Sequence, residues 1–108
     1  MRVARFLDRD RTIDSLRALA RALRSQDSRV DTVVLFGSIA EGNCTPRSDA
    51  DILIVLSRSD RRFLDRIGDF LVTFIDAPVA TDVFPYTREE LKRTPFAQRA
   101  LSSGIRLA

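Results

Sequence analysis

Between Asp10 and Gln26, apolar residues recur at Ile13, Leu16, Leu19 or Ala20, and Leu23, while Arg17, Arg21 and Arg24 fall opposite them. Intervals of three and four gather the apolar side chains on one face of a helix. The pattern then changes period. Val30 to Phe36, dense in β-branched and apolar residues, reads as a buried strand that stops at Gly37. Ser38 to Glu41 reads as a short helical turn, Gly42 to Ser48 as a polar loop containing Pro46, and Ala50 to Leu56 as a second strand. From Asp60 to Ile75, the residues Phe63, Leu64, Ile67, Phe70, Leu71 and Phe74 predict a second amphipathic helix, with Phe63, Ile67, Phe70 and Phe74 as its core stripe. Val79 to Tyr86 reads as a third strand, and Pro85, which cannot donate to a ladder, points to a sheet edge or a strand end. Thr87-Arg88-Glu89-Glu90 spells a capping box, and Thr94-Pro95 restarts a helix that Gly104 closes in a left-handed conformation. Ile105 to Ala108 is left for a short last strand. The order helix, strand, strand, helix, strand, helix predicts an α/β (α+β) fold, a small mixed β-sheet flanked by helices.

Composition narrows the chemistry more than the fold. A chain of 108 residues suits one domain, 1–108, and a fold of that size hides roughly 65% of the surface its unfolded chain exposes. There is no histidine and one cysteine, Cys44, which excludes Ser-His-Asp and Cys-His catalysis, zinc fingers and any intramolecular disulfide. Nothing near Cys44 would activate a thiolate, so it reads as incidental. Lys92 is the single lysine, so no Walker lysine stands where a phosphate loop needs one. The longest aliphatic run, Ile52 to Leu56, is too short to cross a bilayer, and Met1 to Asp8 lacks the apolar stretch of a secretory leader. A cytoplasmic location is therefore expected, without a membrane partner. The net charge of +3 comes from 18 basic and 15 acidic residues that alternate along the chain. Such alternation is a solvated surface, and nucleic acid is not expected as a partner.

The chemically informative text is Leu35-Phe36-Gly37-Ser38-Ile39-Ala40-Glu41-Gly42, followed by Ser48-Asp49-Ala50-Asp51-Ile52. Gly37 ends a strand and Ser38 opens a helical turn, where free backbone N–H groups suit phosphate oxygens. A dinucleotide fingerprint fails, because Ile39 stands where its second glycine belongs. A Walker loop fails as well, because Asn43-Cys44 follows Gly42. Asp49 and Asp51, two apart at the start of a strand, project from one face while Ala50 faces the other. Two neighbouring carboxylates repel, which raises a pKa or recruits a cation, and Mg²⁺ is the natural one. Two-metal phosphoryl chemistry wants a third acid. Asp82, inside the otherwise apolar Val79 to Phe84, is the candidate, ahead of Asp76 in the turn before Pro78.

Gly37-Ser38, ten residues, then Asp49-Ala50-Asp51, with Phe36 and Ile52 beside them, resembles the signature of the polymerase-β-like nucleotidyltransferase superfamily. The stretch Gly37 to Val55 and the ending Tyr86 to Leu91 look most like the minimal nucleotidyltransferases of prokaryotes, in which an MntA-like antitoxin is paired with a HEPN-type toxin. The resemblance covers Val30 to the C-terminus and implies the polymerase-β-like nucleotidyltransferase fold. It also implies ATP held at Gly37 and Ser38, and two Mg²⁺ ions held by Asp49, Asp51 and Asp82. These are the residues that would transfer AMP to a tyrosine hydroxyl of the HEPN partner and so silence it. Glu41 stands where many relatives carry Arg or Lys, and Arg47, just before the acids, is the candidate to supply that charge. Thr81 stands before Asp82 where a larger apolar residue is usual. Two other functions compete: a non-catalytic protein-binding antitoxin or scaffold, and a nucleotidyltransferase subunit acting on a small molecule or an RNA end. Part of the first helix is left available for a second copy or a partner, as a homo- or hetero-oligomer.

Overall fold

Helix α1 (Arg9–Gln26) begins where the Asp8 carboxylate accepts the Arg11 N–H at 3.2 Å, satisfying one of the donors a helix start leaves open. It buries Ile13, Leu16, Ala20 and Leu23, the face read from their spacing. The computed structural model describes residues 8–45 and 47–108; the segment read for a leader, Met1 to Leu7, and Pro46 of the polar loop lie outside them. Strand β1 (Val30–Phe36), the four-residue helix α2 (Ser38–Glu41) and strand β2 (Ala50–Leu56) follow at the expected bounds. Helix α3 (Phe63–Leu71), a 3-10 turn (Val72–Phe74), strand β3 (Thr81–Thr87), helix α4 (Arg88–Leu91), helix α5 (Pro95–Ser103) and strand β4 (Ile105–Arg106) complete the order.

The four strands form one sheet in the order β3-β2-β1-β4. It is mixed as predicted: β1 is antiparallel to β2 and to β4, whereas β2 and β3 run parallel. Strand β2 is central, and its Ile52 to Leu56 run is buried on both faces, which is why it shows no polar alternation. Ile52, Ile54 and Leu56 pack in one core with the α1 face, Phe70 and Phe74; Leu53 and Val55 pack in another with Val34 and the α5 residues Ala97 and Ala100. Burying each such aliphatic side chain contributes roughly 1.5–3 kcal/mol. Helices therefore cover both faces.

Three expectations need correction. The second helix is shorter than Asp60–Ile75, because the chain tightens into a 3-10 turn after Leu71. Leu64, 78% exposed, and Leu71 face water, and neither belongs to the expected core stripe. Of the stripe, Phe70 and Phe74 are buried, Ile67 packs on the core, and Phe63 lies against Tyr86 at a ring separation of 4.8 Å. The third strand starts two residues later than Val79 and ends at Thr87; Pro85 sits inside it opposite Ile54, on the sheet's edge strand. Gly104 is not left-handed. It is extended (φ −80°, ψ 179°), and glycine is needed because a Cβ would come within 2.6 Å of the Leu35 carbonyl oxygen and 2.7 Å of that of Ala100.

The capping box at Thr87 forms as spelled: the Thr87 hydroxyl accepts the Glu90 N–H at 3.2 Å, and Glu90 Oε1 accepts the Thr87 N–H at 2.9 Å. Among the described residues, no helix is long and apolar enough to cross a membrane.

Candidate active site

Strand β1 ends beside the start of β2, and the antiparallel register sets Phe36 opposite Asp51. The chain then turns at Gly37 with φ 81° and ψ −159°, a region essentially closed to residues with a side chain. Space closes it a second time, since a Cβ on Gly37 would overlap Asp51 Oδ2 and lie 3.2 Å from its Cγ. Gly37 is thus the residue that lets the Asp51 carboxylate approach the head of α2. As the N-cap, Gly37 offers no side-chain acceptor, which leaves the first N–H groups of α2 open to an external anion. Ser38 is the first residue of that helix, half-buried. Gly42 closes α2 in the left-handed conformation (φ 80°, ψ 11°).

On the other side of Asp51, the parallel register of β2 with β3 sets it opposite Asp82. Two acids placed 31 positions apart in sequence become neighbours across one ladder. Asp49 precedes β2 and is exposed, Asp82 is exposed on the edge strand, and Asp51 between them is half-buried, while Ala50 is fully buried toward the other face. Burial pushes the Asp51 carboxyl above its ordinary value, and the like charges of Asp82 and Asp49 push it the same way. The three predicted acids thus lie at one end of the sheet, Asp49 and Asp51 flanking Ala50 at the start of β2 and Asp82 opposite Asp51 on β3. The donors are carboxylate oxygens, which fit a hard divalent cation in kind. Among the described residues, no three His, Cys, Asp or Glu side chains are already drawn into a metal-holding group.

Two arginines at this end were not singled out in the sequence. Arg9, at the start of α1, donates from Nε to the Ile39 carbonyl at 2.7 Å and from Nη2 to the Ala40 carbonyl at 2.9 Å. Its planar fork satisfies the last carbonyls of α2 from 30 residues away and fixes where the Gly37–Ser38 turn sits. Arg99, on α5, lines a cavity of about 310 Å³ with Phe36, Gly37, Glu41, Phe96 and Ser103. Arg47 is exposed in the loop, where its N–H donates to Thr45 Oγ1 at 3.3 Å, and it is not among the residues lining that cavity. A larger hollow, about 540 Å³, lies at the opposite end of β1 against Arg21, Arg24, Asp31 and Ala108, and none of Asp49, Asp51 and Asp82 lines it.

A protein-family model described as "Nucleotidyltransferase domain" matches residues 16–107. Among solved structures, the chain is similar to one from Sulfolobus solfataricus described as a "putative nucleotidyltransferase". The TM-score is 0.67 and the identity 19%, over 91% of this chain and 80% of that one. At that identity the likeness is one of fold. No curated protein matches the sequence.

Proposed function

The chain belongs to the nucleotidyltransferase domain family, and from that premise we propose that it transfers AMP from ATP to a hydroxyl of a partner protein, a HEPN-type toxin that it silences as an antitoxin. The observation that carries the reading is the convergence of Gly37, Asp51 and Asp82 at one end of the sheet, set by the two registers of β2. An anion-receptive turn and a group of carboxylates side by side are what a polyphosphate chain and its counter-cation require.

In the proposed reaction the phosphates lie against the Gly37–Ser38 turn, held by backbone N–H groups. Asp49 and Asp51 would hold Mg²⁺, with Asp82 completing a second site. When bound, Mg²⁺ supplies charge neutralisation on the phosphates and on the departing pyrophosphate. The acceptor oxygen forms a bond to the α-phosphorus as the bond to the bridging oxygen of the β-phosphate breaks. Pyrophosphate leaves with that electron pair. Asp82, exposed on the edge strand where a macromolecular hydroxyl can reach it, receives the acceptor's proton. The like charges beside Asp51 keep the site electron-rich until the nucleotide and its cation arrive.

The experiment is transfer read by intact mass. The protein is incubated with Mg²⁺, each of the four nucleoside triphosphates in turn, and a HEPN-type partner. The expected result is a gain of one AMP on the partner, with ATP alone, lost with Asp49→Asn/Asp51→Asn. A partner neutralised equally well by that variant, with no added mass, would favour a binding module instead. Mass added only to a small molecule or an RNA end would move the acceptor to that class.

A further inference from the structure

We infer that Arg99 grips the phosphate tail of the bound nucleotide, an assignment that rests on the nucleotidyl-transfer reading and extends it to a residue on the far helix. The cavity beside Gly37 has two walls. One is the turn that ends β1, and the other is α5, through Phe96, Arg99, Ala100 and Ser103. Helix α5 is fixed against the sheet through Ala97 and Ala100, both buried, so the side chains of that wall project from a rigid support.

The charge inventory of the cavity isolates Arg99. Glu41 lines it as an acid and Asp51 borders Gly37, so among the described residues the charged groups other than Arg99 there are acids. Among the described residues, Arg99 is the one cation on its lining. Ser103 is not a substitute donor, since its hydroxyl donates to the Arg99 carbonyl at 2.7 Å. Other arginines of the fold are committed: Arg9 to the α2 carbonyls, Arg61 to Asp69, Arg66 to Glu90. Arg99 is exposed, and among the described residues its guanidinium has neither an ion-pair partner nor a hydrogen-bond acceptor. A free planar fork with parallel N–H groups, on a cavity lining shared with Gly37, is suited to two oxygens of one phosphate or of adjacent phosphates. Arg99 thus supplies the positive charge for which the neighbouring loop offered Arg47, and it does so from within the cavity.

Calorimetric titration of the protein with MgATP and with magnesium tripolyphosphate tests this, using wild type, Arg99→Ala, Arg99→Lys and Asp49→Asn/Asp51→Asn. Arg99→Ala is expected to weaken both ligands alike, by roughly ten- to a hundredfold, and Arg99→Lys to recover part of the loss. A melt without ligand checks folding; if Arg99→Ala melts early, Arg99→Gln, which keeps the apolar stem, is titrated in its place. Unchanged affinity for both ligands would overturn the assignment while leaving the transfer reading intact. Weakening of MgATP alone would also overturn it, because the contact would then be to base or ribose. If wild type binds neither ligand, the transfer reading falls first and this inference with it.

Discussion

Asp51→Asn should lower nucleotidyl transfer by about a hundredfold or more, the scale of losing one charge-compensating group at a reacting centre, while the melting temperature stays level or rises. The two effects have opposite signs for one reason. Asp51 is half-buried, with Asp82 across the ladder and Asp49 two residues before it, so its charge is unfavourable in the protein alone. The isosteric amide removes that charge without changing the packing beside Gly37. What is lost, in the proposed reaction, is one of the oxygen donors to the cation. Asp82→Asn should also abolish transfer, with less change in stability because Asp82 is exposed. Parallel rate and melting measurements on both variants check this. A variant that loses activity only in proportion to lost folded protein would indicate a structural role.

Glu90→Ala should destabilise the fold by about 3 kcal/mol, since it leaves a buried guanidinium without its carboxylate. The side chain of Arg66 is 6% exposed and that of Glu90 31%. Arg66 Nη1 donates to Glu90 Oε1 at 2.6 Å and to the Pro85 carbonyl at 3.1 Å; Nη2 donates to Glu90 Oε2 at 3.2 Å, and Nε to the Arg61 carbonyl at 2.9 Å. Glu90 Oε1 is also the acceptor of the capping box, so one carboxylate ties α3, β3 and α4 together. Against a typical net stability of about 5–15 kcal/mol the loss is large, with a fall in melting temperature on the order of 15 °C. Glu90→Gln keeps an acceptor for the Thr87 N–H and should cost less. The pH dependence has a definite sign. Its hydrogen bonds to Arg66 hold the Glu90 carboxyl below its ordinary value of 4.5. A depressed folded value contributes stability that is fully present above about pH 4.5 and lost as pH falls through the folded value. Denaturant melts should therefore show wild type and Glu90→Gln converging below pH 4.5. A gap that stays constant down to acid pH would contradict this.

These two clusters differ in how legible they were. The site's acids were readable because each stands at a strand end or within an apolar strand, where a carboxylate needs a reason. Their convergence was not, because periodicity assigns a residue to a face but says nothing of register, and it is the parallel register that sets Asp82 opposite Asp51. Arg47 was the cation nearest the acids in sequence, whereas Arg99 reaches the Gly37 cavity only through the packing of α5 on the sheet. Nothing in the local pattern singles out Arg66, because its partner lies 24 residues on. Gly104 shows the limit of a local rule. A glycine after a helix usually supplies a left-handed cap, but here it is demanded by Val34 and Leu35 of another strand. The capping box at Thr87, by contrast, needs only three residues of local context and formed as spelled.

The central claim is the proposed site for a nucleoside triphosphate with Mg²⁺ at Gly37, Asp49, Asp51 and Asp82. Its most direct test is a thermal melt of wild type and Asp49→Asn/Asp51→Asn, with and without Mg²⁺, across the four nucleoside triphosphates. A ligand at a hundred times its dissociation constant stabilises a fold by about 2.7 kcal/mol, roughly a 10 °C rise for a chain this short. The predicted result is a rise of that order for wild type with ATP, dependent on Mg²⁺ and absent from the variant. No rise with any nucleotide, or an equal rise in the variant, would contradict the site.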